Sequence, residues 1–219
     1  MEQLNGNGRQ PRPGLAPASG SVLSPGEPIG EVIDTSVADF VAQACTFGVA
    51  PPFGGFVQVT VPERTIYAVV YAIHSGSIEP GGRAVLRGRD GMRDEAIFSQ
   101  NPDLEQLLMT EFSALILGFE ERGALRMYLP PSPPPLHWSV VVCEPLAVGR
   151  LTNRLDYFRT IMGASGQVPV DALLAANIRL AREARPSDPG FTLQAGRELA
   201  TLLKHDYPRL TSILRSLVD

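Results

Sequence analysis

The residues able to handle a nucleotide's phosphates are the first to weigh. Of 19 basic residues in this 219-residue chain, Lys204 alone is a lysine. His205 follows it, and no Gly-x-x-x-x-Gly precedes it. A P-loop needs a glycine-rich turn, a lysine reaching the β- and γ-phosphates, and a Ser or Thr for magnesium. None can be assembled here, which excludes a P-loop ATPase. His74, His137 and His205 lie far apart, and with only Cys45 and Cys143 beside them they give no metal-ligand spacing. Gly163-Ala164-Ser165-Gly166 lacks the spacing of a nucleophile elbow and follows a helical pattern, not a strand. Asp94, Glu95, Glu111, Glu120 and Glu121 fall at turns, where solvated charge is the default. Glu31 and Asp34 flank apolar residues in a strand-like run, the one carboxylate pair with a setting for acid–base work. The expectation is a non-catalytic protein with no cofactor and no metal.

Residues suited to binding are easier to find. The stretch Ser75–Arg93 carries Arg83, Arg87, Arg89 and Arg93 among Gly81, Gly82, Gly88 and Gly91. A pliable basic loop can contact phosphates, which makes these arginines candidate nucleic-acid contacts. Asp90, Asp94 and Glu95 dilute the charge, and a solvated loop is the alternative. The run Ile66–His74 is apolar on both faces, with Ile66, Ala68, Val70 and Ala72 on one and Tyr67, Val69, Tyr71 and Ile73 on the other. A strand buried on both sides needs a cover beyond its own sheet, either a packed helix or another chain. Tyr67, Val69, Tyr71 and Ile73 are therefore the candidate protein interface.

The elements around these residues divide the chain into three regions. Residues 1–27 are rich in Gly, Pro, Asn, Ser and Gln, and are expected to be a disordered tail. From residue 28 to 146 short apolar runs predict a β-rich body of six to eight strands. These are Ile29–Asp34, Asp39–Cys45, Phe56–Val61, Ile66–His74, Ala114–Phe119, Leu125–Leu129 and Trp138–Cys143. In Phe56–Val61 the residues Val57, Val59 and Val61 share one face, Gln58 and Thr60 the other. Asn101 with Pro102 suggests a short helix through Leu108. Five prolines within Pro130–Pro135 suggest a rigid crossing between strands, or a ligand for a proline-binding domain. From 147 to 219 the period becomes helical. Leu151, Leu155, Phe158 and Ile161 mark one helix, Leu173, Leu174, Ile178 and Ala181 a second, Leu193, Leu199, Leu202 and Leu203 a third, and Leu210, Ile213, Leu214 and Leu217 a fourth. The fold class expected is α+β, a small closed β-barrel followed by a three- to four-helix bundle packed as one unit.

Hydrophobic content of 44% supports a real core, and a net charge of −4 argues against coating nucleic acid by bulk electrostatics. No apolar run reaches the length of a membrane span, and no apolar leader opens the chain. The two cysteines, both in strand-like runs, read as reduced, buried thiols of a cytoplasmic protein.

The segments Ile29-Gly30-Glu31-Val32-Ile33-Asp34-Thr35-Ser36, Asp39-Phe40-Val41, Pro51-Pro52-Phe53-Gly54 and Ile66-Tyr67-Ala68-Val69-Val70 together resemble the HAS-barrel. That module opens HerA-type DNA-translocating ATPases and is similar to the N-terminal barrel of rotary ATP synthase subunits. The resemblance spans about residues 28–145, and Ala68 stands where many relatives have glycine. It implies a β-barrel that holds ring subunits together and, in HerA-type complexes, docks a nuclease. No motor domain follows the barrel here, so hydrolysis and translocation are not implied. The leading expectation is a scaffold or assembly protein that self-associates or binds a protein partner such as a HerA-type ATPase or its nuclease. An accessory factor in DNA end-processing that touches DNA through Arg83–Arg93 is the alternative.

Overall fold

Alternation of side chains builds the first layer. In a computed structural model, which describes residues 26–88, 91–164 and 168–217, seven strands form one sheet. They are β1 (Pro28–Thr35), β2 (Asp39–Ala44), β3 (Phe56–Val61), β4 (Arg64–Ser77), β5 (Leu108–Glu121), β6 (Ala124–Arg126) and β7 (Ser139–Val142). The order is β2-β1-β7-β3-β4-β5-β6, and a further β2–β5 pairing closes six strands into an antiparallel barrel with β6 outside the ring. Closure removes the edges of the strands within the ring that would otherwise template aggregation. One residue in two from each strand fills the interior: Val32, Phe40, Ala42, Val57, Val59, Ile66, Ala68, Val70, Phe112, Ala114, Ile116 and Val140 form a single apolar cluster. The strands run longer or shorter than their apolar stretches predict. β5 begins at Leu108 and not at Ala114, whereas the expected strand Leu125–Leu129 shrinks to β6. The proline-rich segment then crosses from β6 to β7 with Pro130 and Pro134 buried.

The second layer covers the barrel's outside. Helices α1 (Glu95–Gln100) and α2 (Leu104–Leu107) lie between β4 and β5. After β7 come α3 (Pro145–Leu151), α4 (Tyr157–Met162), α5 (Val170–Glu183), α6 (Phe191–Leu202) and α7 (Tyr207–Arg215). The apolar stripe of α5 is fully buried, and it shares one cluster with Phe56, Tyr67, Val69, Leu115, Leu117 and Cys143 from the barrel wall. Tyr157, Phe158 and Phe191 are fully buried there. Each phenylalanine contributes about 2 kcal/mol of apolar burial.

Five helices follow the barrel where the periodicity predicts three or four. The extra one arises because the pattern Leu151–Met162 is broken at Thr152–Asp156 and becomes the end of α3 and all of α4. Arg185 holds that break open, donating to Gly149 O at 2.7 Å, Thr152 Oγ1 at 3.0 Å and Asn153 Oδ1 at 3.0 Å. A guanidinium thus takes up carbonyl and side-chain acceptors that a continuing helix would have used. Asp188 binds Arg185 at 2.7 Å, and Gly190 precedes α6. Asn101 closes α1, its amide donating to Ile97 O, and does not open a helix. Leu193 points to solvent, and Phe191 and Ala195 take its place in the core.

One glycine fixes how the layers meet. Gly54 has φ of +84°, and a Cβ there would stand 2.8 Å from Ala176 Cβ and 2.8 Å from Asn177 N. Its carbonyl accepts from the buried Asn177 Nδ2 at 2.9 Å. Gly123 shares the positive φ, +76°, but has open space around it. Gly54→Ala should therefore lose about 2–4 kcal/mol of stability in urea unfolding, against about 1 kcal/mol for Gly123→Ala. Equal losses would mean that backbone conformation alone, not the approach of α5, requires Gly54.

The thiols differ from expectation. Cys143 is buried, and burial pushes its thiol well above the ordinary range, but Cys45 is exposed at the end of β2. Because the thiolate is the reacting species, a disulfide reagent at mildly alkaline pH should modify Cys45 in the folded protein, and Cys143 only after unfolding. Mass spectrometry of the labelled chain checks it.

Candidate functional site

The four residues of the apolar outer face of β4 part company in the structure. Tyr67 and Val69 are 3% and 0% exposed, sealed beneath the chain's own C-terminal helices. The cover is therefore intramolecular, and these two are corrected from interface to core. Tyr71 is half-buried, its hydroxyl donating to Asp39 Oδ2 at 3.4 Å. Only Ile73, 45% exposed, remains on the surface. The bulge between Val70 and Ala72 shifts the alternation by one residue, so that Ile73, opposite Phe112 of the barrel interior, leaves the face shared by Tyr67 and Val69.

Beyond that bulge, β4 continues along β5, which keeps β2 on its other side as far as Glu111, and Ser75–Ser77 with Leu108–Thr110 then stand as a two-stranded arm. Registers from Ala72↔Ser113 to Ser77↔Leu108 hold the two strands together, and Ser75 Oγ lies 2.8 Å from Thr110 Oγ1. The segment between its ends, with α1 and α2, folds over the tip. Phe98 of α1 stacks on Phe47 at 5.9 Å and ties the segment back to the barrel.

A cavity of about 580 Å³ opens in this tip, lined by Val85, Leu86, Ile97, Phe98, Leu104 and Leu107 among others. That volume is in the range of ordinary ligand sites. Arg83, Arg87 and Arg93 also line it, all exposed, with Glu79 and Asp94. The basic loop is thus gathered around an apolar lining and is not laid out as a track. Arg89 lies outside the described residues. Among the described residues none of the three arginines has an ion-pair partner. Val85 and Leu86 are 68% and 86% exposed, and Ile78 and Leu107 are exposed beside them.

Sequence reasoning missed the apolar half of this site. Its signal was the triplet Ala84-Val85-Leu86 between two arginines, inside the stretch Ser75–Arg93 read as a loop, and Ile97-Phe98 just beyond that stretch.

The carboxylates weighed for catalysis do not converge. Glu31 pairs with His137 at 3.5 Å on the surface, and Asp34 accepts from its neighbour Thr35 N. Asp39 is held by Ser36 Oγ at 2.5 Å as well as by Tyr71. Glu120 binds Arg150 at 3.0 Å and accepts from Tyr67 Oη at 3.0 Å, which clips β4 and β5 to α3. Among the described residues no group of three His, Cys, Asp or Glu side chains is placed to hold a metal ion, and no helix is long and apolar enough to cross a membrane. No family model matches this sequence, and no curated protein does.

Burial first, then the hydrogen bond to Glu120, pushes the Tyr67 phenol up to about 12. Burial likewise raises Tyr71 and Tyr157. An unfolded phenol ionises near 10. A group with a raised folded pKa gives stability that is full below the unfolded value and lost as pH climbs to the folded one. Unfolding free energy should accordingly fall between about pH 10 and 12. Tyr67→Phe should make that fall shallower in urea titrations across the window.

Proposed function

We propose that this chain is a non-catalytic assembly module, a barrel-and-helix scaffold that presents its arm to a protein partner. The observation that carries the reading is the pair Val85 and Leu86, held 68% and 86% exposed beside an apolar cavity. Apolar side chains clustered on a surface mark a contact that water disfavours. The closed barrel and the tightly buried helical layer support a scaffold role, and on the arm exposed apolar side chains adjoin an apolar cavity. The resemblance to the HAS-barrel suggests where to look for the partner, a HerA-type translocating ATPase or its nuclease in the cytoplasm.

The DNA-contact reading has less support. Arg83, Arg87 and Arg93 share their cavity with Glu79, Asp94 and six or more apolar side chains. Phosphate binding favours an unbroken basic track, and an apolar lining adds nothing to it.

Affinity purification of the tagged chain from its native cells, beside the double variant Val85→Asp/Leu86→Asp, tests the proposal. The expected outcome is a protein retained by the natural chain and lost by the variant, with thermal unfolding unchanged because both side chains are exposed. A captured protein that the variant retains equally would overturn the arm as the docking element.

A further inference from the structure

The arm has a second feature that the cavity does not use, an open strand edge. Upstream of the bulge, β4 is flanked on both sides, by β3 through Phe56↔Val69 and by β5. Downstream, from Ala72 to Ser77, it pairs with β5 alone. Which backbone groups are free follows from parity. Ile78 N donates to Leu107 O at 3.0 Å, so Gly76, His74 and Ala72 also turn their N–H and C=O toward β5. On the other side of β5, Ile116 N donates to Ala38 O, so Ala114 and Phe112 turn toward β2 and away from β4. The two constraints agree. Ile73, Ser75 and Ser77 therefore present their N–H and C=O outward, where none of the described strands lies. The side chains from Ala72 to Ser75 are all exposed.

Natural sheet edges are guarded by lysine, proline, bulges or a covering element. The sequence Ala72-Ile73-His74-Ser75-Gly76-Ser77 has no proline and no lysine, and its bulge lies before the segment starts. Nothing in it repels another strand. It is also suited to its own copy. In an antiparallel two-fold pairing centred on Ser75, Ile73 faces the other chain's Ser77 and the two Ser75 residues face each other, all through hydrogen-bonded positions. On the opposite face His74 meets Gly76, whose missing side chain leaves room for the imidazole. A two-fold interface sets each residue against itself or a neighbour, so fixed like charges would oppose it. This segment carries none.

We infer that the arm edge Ile73–Ser77 pairs with the same edge of a second copy of this chain, joining two barrel walls into one continuous sheet. The inference goes beyond the proposed docking of a partner at Val85 and Leu86 and uses different atoms. Sedimentation of the full chain from about 1 to about 100 µM tests it. Ser75→Pro is the informative variant, because the N–H it removes points outward and takes no part in the pairing with β5. Ile73→Lys adds a charge to the edge and is its independent companion. The expected result is twice the chain mass for the natural protein, with dissociation at least about tenfold easier in both variants. A monomer across the whole range overturns the inference, as does a dimer that both variants leave equally tight. Neither result bears on whether the Val85→Asp/Leu86→Asp variant loses its partner, so the two proposals fail separately.

Discussion

Strand β4 has to be buried on both of its faces, and most of the molecule is arranged around that requirement. Its inward side chains Ile66, Ala68 and Val70 complete the barrel interior, while Tyr67 and Val69 point the other way into the helical layer. A barrel alone leaves that second face wet. The helices from Pro145 onward remove it from water, and they approach closely enough that Gly54 is the only residue type that fits beneath α5. The contact is apolar in the middle and polar at fixed points. Asn177 takes the Gly54 carbonyl, and Glu120 joins Tyr67 to Arg150. These hydrogen bonds set the register of a cover whose energy comes from area.

Arg185 plays the corresponding part inside the helical layer. It bonds Gly149, Thr152, Asn153 and Asp188, and its guanidinium lies 5.0 Å from the centroid of the Phe191 ring. A side chain so engaged loses its solvation but gains directed partners for its donors, which is the condition under which a mostly buried cation is tolerated. It sits where the predicted single helix becomes two short ones, α3 and α4.

Where the cover ends, the character of the protein changes. Past the bulge at Tyr71 the same strand leaves the C-terminal helical layer, and its side chains from Ala72 to Ser75 become exposed. The arm that results carries an apolar cavity, exposed Val85 and Leu86, and a strand edge with no partner among the described residues.

Local pattern was enough to determine the class of the fold. Alternation in Val57-Gln58-Val59-Thr60 and helical spacing in Leu173, Leu174, Ile178 and Ala181 follow from backbone geometry, which a few residues specify by themselves. The absence of a P-loop was legible for the same reason, since its residues must be consecutive. The partner of the second face of β4 was not legible, because any apolar surface satisfies an apolar strand, and only the three-dimensional arrangement supplied helices from nearly a hundred residues away. The cavity was hidden similarly: Leu86, Phe98 and Leu107 are unremarkable along the chain and share a site only once β4 and β5 bring the ends of their connecting segment together. The open edge of Ile73–Ser77 is still further from the sequence, for it is defined by where β3 stops, and hydrogen-bond partners across a sheet are a property of the fold and not of any one strand.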